Sequence, residues 1–393
     1  MIPYGRQDIG EDEIAAVAAV LRSDWLTQGP TIARFEQAMA EYCGAKYAVA
    51  VCNGTAALHL ACLALGLDTR DMLWTSPNTF AASANCARYC GASVDFVDID
   101  PRTYNMDVRS LAQKLEHAAA AGSLPRVIVP VHFAGQPCDM AEVGTLAARY
   151  GVKVIEDASH AVGAEYRRER IGNCRHSDMA VFSFHPVKLM TTAEGGMILT
   201  NDETLFRKLE RLRTHGITRD PEQMVSLSEG GWYYQQIDLG YNYRITDLQA
   251  ALGLVQLGRL DGFLARRRAL AVRYDRLLAD LPLRRPWQHP DGRSSYHLYP
   301  VYFDAERVGV TRRHIYDRLR EAGIGVQVHY IPVYLQPYYR RLGFREEQFP
   351  EAERYYRGAL SLPIYSSLSD VQQDEVVEAL RGVLAGARDA KEL

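Results

Sequence analysis

From Tyr47 to Thr200 the sequence repeats one order, a short apolar run followed by a helical stretch, and this limits the fold more than any other feature. Tyr47 to Cys52 reads as a strand, Asn53-Gly54 as a turn, and Thr55 to about Leu65 as a helix. The next units place strands at Asp71 to Ser76, Ser93 to Val97, Arg126 to Val131 and Lys153 to Ile155. Helices are predicted near Ala81 to Cys90 and over Met140 to Tyr150. Met179 to Phe184 and Gly196 to Thr200 complete the set as two strands. Such alternation builds an α/β fold with a large, mostly parallel sheet covered by helices on both faces.

The pattern changes after Tyr243. Thr246-Asp247-Leu248-Gln249 forms a capping box ahead of a helical run to about Leu281, read as a bridge into a second unit. Beyond it the sequence predicts strands at His297 to Phe303 and Val326 to Tyr330, with helices at Arg312 to Ala322 and Val371 to Leu384. The expected division is therefore a large unit at 1–245 and a smaller α+β unit with its bridging helix at 246–393, in keeping with a chain of 393 residues. Gly216 to Gly231 is polar enough to be a mobile loop.

Composition removes several classes of function. The net charge is −3 and basic residues cluster only locally, as at Arg266-Arg267-Arg268, so no nucleic-acid footprint is present. No apolar run approaches the roughly 20 residues of a membrane span, and the amino terminus lacks signal-peptide order, so a cytoplasmic location is expected. Seven cysteines with no C-x-x-C pair suggest neither a disulfide framework nor a zinc site; Cys86 and Cys90, at i and i+4, are expected to be a reduced, mostly buried pair.

In a parallel α/β sheet, ligands gather beyond the carboxyl ends of the strands, and four features stand there. Asn53-Gly54-Thr55 opens a helix after a strand, offering free N–H groups to an anion, though the same residues also suit a plain tight turn. Asp157 follows the strand at Lys153 to Ile155, placed either to cap a helix or to hold a heterocyclic nitrogen protonated. Phe80, after Pro77-Asn78-Thr79, suits either the core or a stacking surface for a flat ring. Lys188 lies on a short loop between two strands among small and hydroxylated residues, where a partly desolvated amine can meet an aldehyde. Together they describe a site for pyridoxal 5'-phosphate.

The order of these segments resembles the sugar aminotransferases of the DegT/DnrJ/EryC1/StrS family over nearly the whole chain. The resemblance rests on Asn53-Gly54-Thr55, Pro77-Asn78-Thr79-Phe80, Glu156-Asp157-Ala158, Ser183-Phe184-His185-Pro186-Val187-Lys188, Thr192-Ala193-Glu194-Gly195-Gly196 and Gly240-Tyr241-Asn242-Tyr243-Arg244. It implies a fold-type I pyridoxal phosphate enzyme, active as a homodimer with its sites at the subunit interface. Carried over by position, Lys188 is the Schiff-base lysine, Asp157 the partner of the pyridine nitrogen and Phe80 the stacking residue. Gly54, Thr55 and Ser183 would bind the cofactor phosphate, and Asn242 would reach it from the other subunit. Where many relatives carry a glutamine for the phenolic oxygen, this chain has His160, whose neutral imidazole can also donate.

Within the family, Met1-Ile2-Pro3-Tyr4-Gly5-Arg6-Gln7 and the phrases around Lys188 look most like enzymes that transfer an amino group from L-glutamate to a UDP-4-keto-6-deoxy-N-acetylhexosamine for pseudaminic acid. A GDP-perosamine-type or dTDP-sugar enzyme would share much of the pattern. The 3-dehydratase branch, which replaces the lysine with histidine, is disfavoured by Lys188. A binding homologue without catalysis would be expected to lack Lys188, Asp157 or Ser183. For the sugar, Tyr4, His329 and Tyr330 are the chosen residues, with Trp25, Tyr233 and Tyr234 as further aromatic candidates and His132 taken as structural.

Overall fold

The computed structural model describes residues 1–389. Two helices, α1 (Glu11–Leu21) and α2 (Pro30–Cys43), precede the alternating region. There β1 (Tyr47–Val51), α3 (Gly54–Ala64), β2 (Met72–Thr75), α4 (Ala82–Tyr89) and β3 (Ser93–Phe96) follow in turn. After α5 (Val108–Ala121) come β4 (Val127–Val129), α6 (Met140–Tyr150), β5 (Lys153–Asp157), β6 (Met179–Ser183), β7 (Gly196–Thr200) and α7 (Glu203–Arg213). The seven strands form one sheet in the order β1-β7-β6-β5-β4-β2-β3. Neighbours from β6 through β3 pair parallel, whereas β7 runs against both β6 and β1.

Strand β6 shows why the sheet is covered twice. Ala180 and Phe182 enter the core shared with α2, α5 and α6, while Met179 and Val181 enter that of α3, α4 and α7. Helix α3 is buried over most of its circumference, so its apolar sequence fixes its place and aims its amino end past the strand tips. The Asn53 side chain takes the Ala56 N–H at 2.8 Å, capping the first turn.

Helix α8 (Asp247–Leu277) begins at the capping box read from the sequence, and Thr246 and Gln249 exchange both hydrogen bonds of that box. Its first half packs Ala250, Leu260 and Leu264 into the large core, and its second packs Leu270, Ala271 and Tyr274 into a separate one. That second core is completed by a three-stranded sheet of β8 (Leu283–Arg284), β9 (Tyr299–Phe303) and β10 (Ala359–Leu362), with α9 (Arg312–Glu321) and α10 (Asp370–Asp389). Between the two halves lies Arg267, buried without a carboxylate partner among the described residues. Its Nη1 donates to the carbonyls of Tyr296, His297 and Ile364, and burial lowers its pKa to about 10.

Two expectations change. Val326 to Tyr330 is not a strand: only Gln327 bridges, to Ser361, because the backbone leaves the sheet to carry His329 and Tyr330 elsewhere. Asp157 belongs to β5 as its last residue rather than standing past it. Within the polar segment from Gly216 to Gly231, Ile217–Thr218 pairs with Gln235–Gln236 and Pro221–Gln223 forms a 3-10 turn.

Asp247, fully buried at the start of α8, also accepts the Gly29 and Thr31 N–H groups at 2.7 and 3.0 Å, tying the chain before α2 to the bridge. Replacing it with alanine leaves two donors without their acceptor, so Asp247→Ala is expected to lower unfolding free energy by roughly 1–3 kcal/mol in urea titrations.

Candidate active site

One cavity of about 610 Å³ opens at the carboxyl ends of the strands. It gathers Lys188, Asp157, Gly54, Thr55, Phe80, His160, Ser183, Tyr4, His329 and Tyr330 from the sequence-derived set. Asn242 is exposed and lies outside its lining, held instead in a bridge with Thr214. Trp25, Tyr233 and Tyr234 also fall outside. His132 is fully buried, its Nε2 2.8 Å from Glu156 and its Nδ1 accepting the Cys138 N–H, which suits a structural part.

The anion cradle depends on small residues. A Cβ on Gly54 would meet the Ser183 Cβ at 2.9 Å, and one on Gly196 would meet the Asn53 carbonyl oxygen at 2.5 Å. Glycine at both positions lets the start of α3 lie directly on the ends of β6 and β7, so the helix amino terminus and the hydroxyls of Thr55 and Ser183 share one wall.

In the same cavity, on the strand beside β6, the Asp157 carboxylate is buried and held at both oxygens. Ser83 Oγ donates to Oδ2 at 2.6 Å, and the Ser159 N–H to Oδ1 at 3.1 Å. Ser83 and Ser159 were not foreseen; Ser83 lies one turn from Thr79, which it meets at 2.7 Å, and that i,i+4 spacing was the available signal. Phe80 is 61% exposed at the cavity edge, so its ring is a lip and not core; it tilts toward Tyr330 at 6.3 Å.

His160 is buried against the far side. The Ala134 N–H donates to its Nδ1 at 3.3 Å, so the neutral ring carries its proton on Nε2, 3.2 Å from the Tyr330 hydroxyl. Burial and then the charge of Lys188 hold the His160 pKa well below its ordinary value. His329 is pushed down to about 3 by the same two causes, and its Nδ1 lies 2.8 Å from Ser361 Oγ. Tyr4 completes the group, its ring 5.4 Å from His329, after the preceding Ile2 bridges to Ile324. Asn78 fixes this corner by accepting the Tyr330 N–H at 3.2 Å.

Burial lowers the Lys188 pKa to about 8, with Asp157 opposing the shift. No arginine lines the cavity among the described residues, which leaves Lys188 as its one strongly basic side chain.

The chain belongs to the DegT/DnrJ/EryC1/StrS aminotransferase family, whose match extends over residues 7–381. It is 43% identical to the spore coat polysaccharide biosynthesis protein SpsC of Bacillus subtilis, covering 98% of both chains. It is 36% identical to the UDP-4-amino-4,6-dideoxy-N-acetyl-beta-L-altrosamine transaminase of Campylobacter jejuni, again over 98% of each. Among solved structures, Helicobacter pylori PseC, an aminotransferase involved in the biosynthesis of pseudoaminic acid, superposes with a TM-score of 0.88 at 30% identity, covering 98% of this chain and 99% of that one. The fold is therefore that of the fold-type I sugar aminotransferases, and pyridoxal phosphate is the cofactor of the family, with solved neighbours in pyridoxal and pyridoxamine phosphate forms. The site fits that cofactor: a glycine-lined cradle at a helix amino terminus suits its phosphate, and a buried carboxylate in the same cavity suits its ring nitrogen.

With a pKa near 8, Lys188 is neutral in about a tenth of molecules at pH 7, against roughly one in three thousand for an ordinary lysine. Reductive labelling of Lys188 in the apoprotein by a small aldehyde, followed by peptide mass spectrometry, should therefore rise with pH to a midpoint near 8. A midpoint near 10.5 would contradict the desolvated amine.

Proposed function

We propose that this sugar aminotransferase moves the amino group of L-glutamate to C4 of a UDP-4-keto-6-deoxy-N-acetylhexosamine, the step its Campylobacter and Helicobacter relatives suggest for pseudaminic acid biosynthesis. The observation that carries the reading is the convergence of Lys188, Asp157 and the Gly54-Thr55 amino terminus on one cavity. Pyridoxal phosphate, when bound, supplies an aldehyde that takes up and returns the amino group and a cationic ring that draws electrons from the reacting carbon. Lys188 would hold the cofactor through its aldehyde, and its amine, when free, would carry the proton that the amino transfer requires. Asp157, whose two carboxylate oxygens accept from Ser83 Oγ and the Ser159 N–H, would hold the ring nitrogen. Gly54, Thr55 and Ser183 would hold the phosphate, Phe80 would cover one ring face and His160 would serve the phenolic oxygen. Tyr4, His329 and Tyr330 are assigned to the sugar.

We also assign a homodimer in the cytoplasm, with Asn242 of the partner subunit completing the phosphate site. Two features support a second copy. A cavity that holds one lysine and no arginine among the described residues cannot by itself balance the donor's two carboxylates or, in its turn, the sugar nucleotide's diphosphate. Beside Asn242, the 225–239 segment leaves Val225, Leu227, Trp232 and Leu239 exposed, as apolar residues awaiting cover would be. Among the described residues no helix is long and apolar enough to cross a membrane.

Incubating the holoenzyme and glutamate with UDP-, GDP- and dTDP-linked 4-keto-6-deoxy sugars, with NMR of the products, should show turnover of the UDP sugar, abolished in Lys188→Ala; turnover confined to GDP or dTDP sugars would overturn the substrate choice. Mixing the inactive Lys188→Ala and Asn242→Ala proteins should restore about a quarter of the active sites, because each hybrid dimer rebuilds one complete site. No recovery after verified subunit exchange would refute the shared site.

A further inference from the structure

His160 is packed from behind by a residue with no assigned part. His297 lies just before β9, is 4% exposed, and sets its ring 4.3 Å from that of His160 with a 43° tilt. Its Nδ1 is buried without a hydrogen-bond partner, an arrangement that costs free energy and brings no bond in return. A buried polar ring left in this condition requires an account.

The surrounding backbone supplies part of it. Ser295 Oγ donates to the His160 carbonyl at 2.7 Å, the Ser295 N–H to the Gly135 carbonyl at 3.1 Å, and the Leu298 N–H to the Ala134 carbonyl at 3.3 Å. Gly135 has a φ of +93°, and a Cβ there would stand 2.1 Å from Ser295 Oγ and 2.8 Å from the His160 carbonyl oxygen. The approach of these three segments thus requires glycine. From the other side, Arg267 holds the Tyr296 and His297 carbonyls. The segment 295–298 is consequently fixed to the same loop whose Ala134 N–H sets the His160 tautomer.

We propose that His297 is a positioning residue for the cofactor: its ring backs the imidazole of His160 and fixes that imidazole with Nε2–H toward the cavity, on the side where it meets the Tyr330 hydroxyl. Two rings 4.3 Å apart leave no layer of water between them, so rotation of His160 would require displacing His297, which is held by its backbone. Burial first, and then the charges of Lys188 and His329, oppose a proton on His160; at His297 burial again leads, followed by His160, Lys188, Arg267 and His329. His160 is thereby kept neutral, with Nδ1 accepting and Nε2 donating. Nitrogen chemistry at His297 itself is not used, which agrees with its unpartnered Nδ1. The inference rests on the reading that His160 faces the cofactor's phenolic oxygen.

The test compares His297→Ala and His297→Leu, each alone and combined with His160→Ala, in protein reconstituted with pyridoxal phosphate. The readouts are the cofactor dissociation constant and the absorption band of the bound cofactor at one fixed pH. His160→Ala should shift the band and weaken binding about tenfold, the effect expected for loss of one hydrogen bond. Either His297 variant should give a shift in the same direction and severalfold weaker binding, and should add nothing in the His160→Ala background. If His160→Ala leaves band and binding unchanged, the reading of His160 fails. If it changes them while both His297 variants match the unaltered protein, or if the His297 effects add in full to those of His160→Ala, the positioning inference is overturned. The leucine variant keeps side-chain volume, so it carries the test where alanine prevents folding.

Discussion

Everything in the site depends on the Asn53-Gly54 backbone lying directly against the tips of β6 and β7. At Gly54 and Gly196 there is no space for even one carbon more. That contact brings the amino end of a buried helix beside Ser183, and thus beside the strand that leads into Lys188. A side chain at either position would push the helix away from the strands and separate the anion cradle from the amine. The parallel pairing of β5 with β6 then brings Asp157 to the same edge, because parallel strands end together.

Much of this was legible because it follows from local rules. Strand-helix alternation, the capping box at Thr246 and the polar residues after strands each translate directly into an element or a wall of the cavity. The direction of β7 was left unstated, although the Phe184 to Gly195 connection holds no crossover helix of the kind a parallel partner requires. Val326 to Tyr330 misled for a different reason. Val326 enters the smaller core, but Gln327, Val328, His329 and Tyr330 all line the cavity, and Gln327 alone finds a β partner. The segment is shaped by what its side chains must reach on two sides.

Residues that act through others were the least visible. Ser83, Asn78 and His297 gain their contacts only once remote segments meet, as Ser83 does with Asp157, Asn78 with Tyr330 and His297 with His160. Asp157 was found from its strand, whereas the serine that holds it comes from a helix 74 positions away in sequence. First contacts with a ligand repeat recognisable patterns; their supports are specific to how this chain closes on itself.

Arg267 has a mechanical consequence. It sits where α8 passes from one core to the other and clamps three carbonyls from segments that flank β9 and β10, with no carboxylate partner among the described residues to follow it if it moved. Bending the helix there would strand both a cation and three acceptors in a dry interior. The bridge therefore works as a rigid axle, and any pivoting between the two sheets must take place at its ends.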